Sequence, residues 1–190
     1  MKNWQIPASP YTSEQKITLR HLLNHTSGVK NHIWQSIQPG QTIPELSVLL
    51  AGEANEPGIE IQFRPGERER YSNSGYAIVQ KLIEDVTGEP FELALDKLVL
   101  EEVGMLDSSF GQPVPDRLRE KLATGYSEDL QPYSYQLFPF KAAGGIWTTP
   151  TDLAHFMDKV MTSFHHQGDD FLSKGLLAQI FANKDDRLCF

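Results

Sequence analysis

The stretch that decides the fold runs from residue 63 to 76 and reads FRPGERERYSNSGY. Pro65-Gly66 predicts a turn, since proline presets its own φ and glycine tolerates a positive φ. A charged run then leads to Tyr71-Ser72-Asn73, where an apolar pattern with helical spacing begins. This pattern predicts a helix that ends at Gly88. The sequence therefore places a phenol and a carboxamide at the start of a helix, with one residue between them.

Outward from this helix, other segments show start signals and apolar spacing of the same kind. Further helices are predicted to begin at Thr18, Pro44, Pro90, Asp116, Pro150 and Leu172. The helix at Pro150 is signalled best, because Thr149 is suited to cap it and Asp152 sits where a capping carboxylate belongs. Its predicted core residues are Leu153, Phe156, Met157, Val160, Met161 and Phe164. The first of these helices is predicted to end over residues 25–28, with Gly28 as a left-handed cap.

The remaining segments favour loops and short extended pieces. Residues 1–16 are rich in proline and polar side chains and predict an extended arm or linker, which leaves 17–190 as the folded body. Residues 123–140 predict short strands or ordered loop, 142–146 a flexible turn, and 187–190 the start of a strand. The fold class expected from these patterns is mainly α with small β pieces.

Composition narrows the classes of function. The chain has 190 residues, of which 39% are hydrophobic, enough for one packed domain. Its net charge is −8 and its lysines and arginines are scattered, which argues against a nucleic-acid partner. No apolar run reaches membrane-spanning length, so no membrane segment is predicted in this chain. The single cysteine, Cys189, excludes an internal disulfide. No cofactor and no metal is predicted.

Six stretches in order resemble one known family. They are 17–28 (ITLRHLLNHTSG), 63–66 (FRPG), 71–76 (YSNSGY), 104–110 (GMLDSSF), 142–145 (AAGG) and 148–153 (TTPTDL). Each is weak alone, but together they are similar to the serine β-lactamase-like hydrolases, which include class C β-lactamases, D-alanyl-D-alanine carboxypeptidases and esterases. The resemblance runs from about residue 17 to the end of the chain.

The resemblance implies a fold, a substrate class and a site. The chain is similar to the helical subdomain of the family's α/β fold, with most of the sheet missing. The family's Tyr-x-Asn motif falls on Tyr71 and Asn73, which implies a catalytic phenol that exchanges a proton and an amide that holds an acyl group. The resemblance places Gly144 and Gly145 beside the site, as substrate-binding residues. Implied substrates are small molecules: β-lactams, D-Ala-D-Ala peptides or esters.

Two family motifs have no match in this chain. The Ser-x-x-Lys motif, which carries the nucleophile, normally lies upstream of the HTSG stretch, and the Lys- or His-containing triad lies beyond residue 190. We therefore expect a chain truncated at both ends, inactive alone and able to self-associate through apolar surface that it exposes. Ser13-Glu14-Gln15-Lys16 and Ser27-Gly28-Val29-Lys30 imitate the first motif, but neither has the pattern of a buried helix start.

Two other functions remain open from the residues alone. The chain could be a non-catalytic module that binds a peptide or protein on the same helical scaffold. His21 and His25 are four residues apart, a spacing seen in metal sites, but the sequence offers no obvious third ligand. Packing and helix capping therefore fit these two histidines better than zinc.

Overall fold

The fold is mainly helical. The computed structural model describes residues 1–32, 34–53, 57–168 and 171–181. Its helices are α1 Leu19–Leu23, α2 Leu46–Ala51, α3 Asn73–Thr87, α4 Phe91–Leu95, α5 Asp116–Arg119, α6 Lys141–Gly144, α7 Pro150–His165 and α8 Lys174–Phe181. A 3-10 turn, Pro10–Thr12, precedes α1, and a π-helical turn, Asp96–Leu100, continues α4.

Extended structure within the described ranges consists of isolated antiparallel bridges. They join Val29 to Ile61, Ile37 to Leu137, Ser109 to Trp147, and Tyr126 to Pro132. This confirms the prediction of a helical body with small β pieces. The predicted strand at 187–190 lies outside the described residues. Where the chain is described, no helix combines the length and hydrophobicity needed to cross a membrane.

Helix α3 forms the centre of the molecule and follows its predicted bounds. Ser72 caps its start by accepting a hydrogen bond from the Gly75 N–H, and Gly88 ends it in the left-handed conformation. Ala77, Ile78 and Val79 are buried. Val86, near the end of α3, is exposed on the side of the helix that faces solvent.

The core on α3 is closed by residues from distant parts of the chain. Phe140, which is 0% exposed, stacks on Trp34 with ring centroids 3.6 Å apart. Trp4 of the amino-terminal arm is buried in the same cluster. The Lys2 N–H donates to Asp85 at 2.7 Å, so this arm lies against α3. A domain boundary after residue 16 stays a prediction.

Three local predictions are corrected by the structure. Helix α2 begins at Leu46 after Glu45, and Pro44 lies outside it. The turn predicted at 142–146 contains a four-residue helix, α6, whose Ala142 N–H donates to Gln80 of α3 at 3.3 Å. After α1 the first left-handed residue is His25, with φ 59°, and Gly28 follows with φ 77°.

Helix α7 begins as predicted but buries less than predicted. Thr149 caps it by accepting from the Asp152 N–H. The Asp152 carboxylate turns away from its own helix and accepts from the Asp107 N–H and the Ser108 hydroxyl. Four of the predicted core side chains are exposed to solvent: Leu153, Met157, Met161 and Phe164. Their apolar spacing identifies one face of the helix, and that face stays largely open to solvent.

Candidate active site

The predicted catalytic pair meets in the structure. The Tyr71 hydroxyl donates a hydrogen bond to the Asn73 side-chain oxygen. Tyr71 is 54% exposed, so its hydroxyl is open to a substrate, while Asn73 is half-buried at the first position of α3. A phenol and an amide in contact can pass a proton and orient a carbonyl group.

The residues around the pair hold the start of α3 in place. The Asn73 N–H donates to the side-chain oxygen of Asn31 at 2.8 Å, and Ser74 accepts from the His32 N–H at 3.0 Å. The first bond satisfies an N–H that a helix start otherwise leaves unpaired, and the second ties the preceding loop to the first turn of α3. The segment after residue 28 therefore fixes where Asn73 stands.

His25 lies behind the phenol. Its ring is 4.7 Å from the Tyr71 ring and 5.4 Å from the Tyr76 ring. Its Nδ1 accepts from the Ser72 N–H at 3.2 Å, which places the ring proton of the neutral form on Nε2. Burial lowers the pKa of His25 below its usual 6.5, an effect that the nearby Glu69 carboxylate partly opposes. The buried, neutral imidazole of His25 thus packs against the face of the Tyr71 ring that is turned away from solvent.

Backbone hydrogen bonds join the His25 segment to the stretch before Tyr71. Four N–H groups donate across the gap: Arg70 to His25, Gly66 to Thr26, Gln62 to Gly28, and Lys30 to Glu60, at 2.8–2.9 Å. A Cβ atom at Gly28 would lie 2.1 Å from the Phe63 carbonyl oxygen, so only glycine fits this approach. We call these four bonds the ladder between residues 25–30 and 60–70.

The buried neutral His25 predicts a pH-dependent stability. Because its folded pKa is lowered, the unfolded chain takes up the proton first, and stability falls as pH drops below about 6.5. We expect His25→Asn to flatten this loss, by at most about 1.4 kcal/mol per pH unit, since asparagine tolerates the left-handed backbone. Urea unfolding at pH 7.5 and 5.5 measures it.

His25 is not the only histidine with a shifted pKa, because burial, and then Lys30, also lowers the pKa of His32. The experiment therefore needs a control substitution at a histidine on the surface. Exposed His166, replaced by asparagine, should leave the pH dependence of the wild-type chain intact. Equal pH dependence in the His25 variant and the wild type would contradict the role given to burial at His25.

The glycine pair predicted to bind substrate lies at the end of α6. Gly145 fits no side chain, since a Cβ there would lie 2.5 Å from the Lys141 Cα atom. Helix α6 packs on α3 at Gln80, about two helical turns from Asn73. The structure thus connects Gly144 and Gly145 to the middle of α3, and their role in binding substrate stays a prediction.

The two Ser-x-x-Lys imitations have local partners. The Ser13 hydroxyl donates to the Pro10 carbonyl and the Lys16 ammonium to the Thr12 carbonyl. Ser27 is buried and accepts from the Val29 N–H, while Lys30 pairs with Glu60 at 2.7 Å. In neither case does a described contact join the serine to its lysine.

The histidines of the zinc alternative use their Nδ1 atoms for the backbone. His21 accepts from the Thr18 N–H at 3.3 Å, as His25 does from Ser72. Over the described ranges, no three histidine, cysteine, aspartate or glutamate side chains are grouped so that they could hold a metal ion.

Two residues of this candidate site carried no predicted role at it. His25 was expected only at the end of α1 or in a zinc site, and Asn31 was not singled out. The pairing of residues 25–30 with 60–70 brings His25 and Asn31 close to Tyr71 and Asn73. A local sequence pattern does not predict pairing between segments so far apart in the chain.

Comparison with known proteins now identifies relatives. A family model described as Beta-lactamase matches residues 3–187. PbpX of Bacillus subtilis, which is named among the penicillin-binding proteins, is 29% identical over 157 residues, covering 77% of this chain and 36% of the relative. Esterase EstB of Burkholderia gladioli is 26% identical over 129 residues, covering 63% of this chain and 32% of the relative.

Solved structures agree on the fold. D-amino acid amidase from Ochrobactrum anthropi superimposes with a TM-score of 0.67 at 23% identity, covering 90% of this chain and 48% of the amidase. At this identity the match concerns the fold alone. The chain spans about a third of the curated relatives' length and about half of the amidase.

Proposed function

The chain belongs to the β-lactamase family of serine hydrolases, and from this membership we propose that it carries the proton-transfer half of an acyl-transfer site. Tyr71 is the general base and acid, and Asn73 is the group that holds the substrate amide or acyl oxygen. The observation that carries the proposal is the contact between the two side chains on an open face at the start of α3.

The proposed reaction proceeds through an acyl-enzyme. A serine hydroxyl, supplied from outside residues 1–190, attacks the substrate carbonyl carbon while its proton passes to the ionised Tyr71 oxygen. The tyrosine then gives this proton to the departing amine or alkoxide. Water attacks the ester in a second round, and its proton follows the same route back to the serine oxygen.

Asn73 suits both states of the phenol. When Tyr71 is protonated, the Asn73 oxygen accepts its hydrogen bond, as the structure has it. When Tyr71 is ionised, rotation of the amide offers an N–H instead. The amide group left unused in each state is free to orient the substrate.

The proposal predicts that the 190-residue chain alone forms no covalent acyl product, because the attacking serine is not part of it. Purified chain incubated with a fluorescent penicillin or a fluorophosphonate should show no added mass by intact-protein mass spectrometry. A labelled peptide containing Ser13 or Ser27 would overturn this expectation, and a serine hydrolase from the same family serves as the positive control.

The second candidate is a binding module without catalysis on the same scaffold. That function would allow Tyr71 to be a buried packing residue. The exposure of Tyr71 and its contact with Asn73 favour the catalytic proposal instead.

We also propose that the chain self-associates through an apolar face on α7 and α8. The face is formed by Leu153, Met157, Met161 and Phe164 of α7 with Leu176, Ile180 and Phe181 of α8, all of them exposed. The Phe164 and Phe181 rings, 5.0 Å apart, join the two helices. Side chains of this kind in one patch favour a partner with the same chemistry, which a second copy supplies.

Self-association predicts a dimer at micromolar concentration, which sedimentation velocity detects. Replacing Met157 and Met161 by glutamate places charge in the face and should yield a monomer. Val86→Glu is the control, since Val86 is exposed on α3. A wild-type chain that stays monomeric at 100 times that concentration would contradict the proposal.

A further inference from the structure

A cavity lined by residues away from the start of α3 lies beside α5. It has a volume of about 740 Å³, within the range of small-molecule sites. Its walls come from the loop 39–43, from Pro113 and Val114, from Arg119 and Leu122 around α5, and from Tyr135 and Leu137. The bridge between Ile37 and Leu137 ties two of these walls together.

The walls are apolar over most of their area, and several polar side chains on them can donate hydrogen bonds. Arg119 is the single charged residue of the lining. The Tyr135 hydroxyl accepts from the Val114 N–H at 2.7 Å, so its own hydrogen is left to donate. The Gln41 oxygen accepts from the Gln38 N–H at 3.0 Å, which leaves the amide N–H₂ to donate. Arg119, Tyr135 and Gln41 can therefore each donate to a ligand, and the Thr42 hydroxyl on the same wall can donate or accept.

A further donor stands next to the tyrosine wall. The Trp147 ring lies 5.4 Å from the Tyr135 ring, and its indole N–H is buried without a partner among the described residues. Arg119 itself is only paired with Asp116 at the surface, at 2.9 Å, with both side chains largely exposed. Exposed pairs of this kind are weak, so the guanidinium can exchange Asp116 for an anion in the cavity.

From these observations we propose that the cavity binds an amphipathic carboxylate. The apolar part of the ligand lies against Ile43, Val114 and Leu122, and its carboxylate accepts hydrogen bonds from Arg119 and Tyr135. This site is separate from the acyl-transfer proposal and does not depend on it.

The test uses n-decanoate as the probe and the 190-residue chain at pH 7.5. Isothermal titration should show saturable binding of one decanoate, and decanol should bind at least about tenfold more weakly because it lacks the charge. Arg119→Gln should weaken decanoate about five- to tenfold and leave decanol unchanged. Intermolecular NOEs from the decanoate chain to the Leu122 and Ile43 methyl groups would place it in the cavity.

Arg64→Gln is the matched control. Arg64 is exposed and pairs with a surface carboxylate, Glu14, at 3.1 Å, as Arg119 does with Asp116, but it lies outside the cavity. Its variant should bind decanoate like the wild type. The proposal is overturned if decanoate does not saturate the chain at millimolar concentration, if decanol binds equally well, or if Arg64→Gln weakens binding as much as Arg119→Gln while both variants keep the wild-type unfolding midpoint.

Discussion

On the proposed mechanism, replacing Tyr71 by phenylalanine will slow acylation by about 10²–10⁴-fold in a hydrolase that combines this chain with a segment supplying the attacking serine. The variant keeps the ring that packs on His25 and loses only the hydroxyl that bonds Asn73. Because that hydroxyl is exposed, the free energy of unfolding should change by less than about 1 kcal/mol. Stopped-flow acylation with a chromogenic β-lactam or ester measures the rate.

Tyr126→Phe provides the matched control, since Tyr126 is an exposed tyrosine away from α3. Its acylation rate should equal that of the unmodified protein. A Tyr71 variant that acylates within threefold of the control would show that the proton travels by another group. Loss of folding in the variant would instead appear in the unfolding curve, so the two failures are distinguishable.

Replacing Phe140 by alanine will destabilise the fold by about 3–5 kcal/mol, the cost of removing a large buried ring. Phe140 contacts no solvent, stacks on Trp34 and meets Phe138 edge-on at 5.8 Å. The cavity left behind opens between α3 and the loop that follows residue 31. Urea unfolding followed by circular dichroism measures the loss.

Tyr133→Ala is the comparison for this change. Tyr133 is also an aromatic residue, but it is 63% exposed, and its removal should cost less than about 1 kcal/mol. Equal destabilisation by the two substitutions would contradict the core assignment.

Local signals in the sequence predicted the starts of α3 and α7 correctly, but they predicted less well which side chains are buried. Ser72, Gly88 and Thr149 act through bonds within a few residues, so spacing alone identifies them. The exposure of Met157 depends on what lies opposite α7, and periodicity carries no information about a neighbour. Helix α6 was predicted as a turn because two glycines end it and only four residues form it.

The candidate site could be predicted where its residues lie close together in the sequence. Tyr71 and Asn73 are one residue apart in the chain and were expected to act together, and the structure places their side chains in contact. The supporting His25 and Asn31 come from some forty residues earlier, and the cavity walls come from four separate segments. Their meeting depends on the packed core, which no local pattern encodes.

The ladder between residues 25–30 and 60–70 holds two distant segments together, so the chain between them forms a closed loop next to the start of α3. Once a loop is closed, lengthening it costs little, about 0.6 kcal/mol for each doubling. Within this closed segment, the exposed tip of the 39–43 loop can therefore be lengthened while Asn31 and the buried residues that position the phenol and its amide stay in place. Such changes would alter the rim of the proposed carboxylate site without touching the proposed proton-transfer pair.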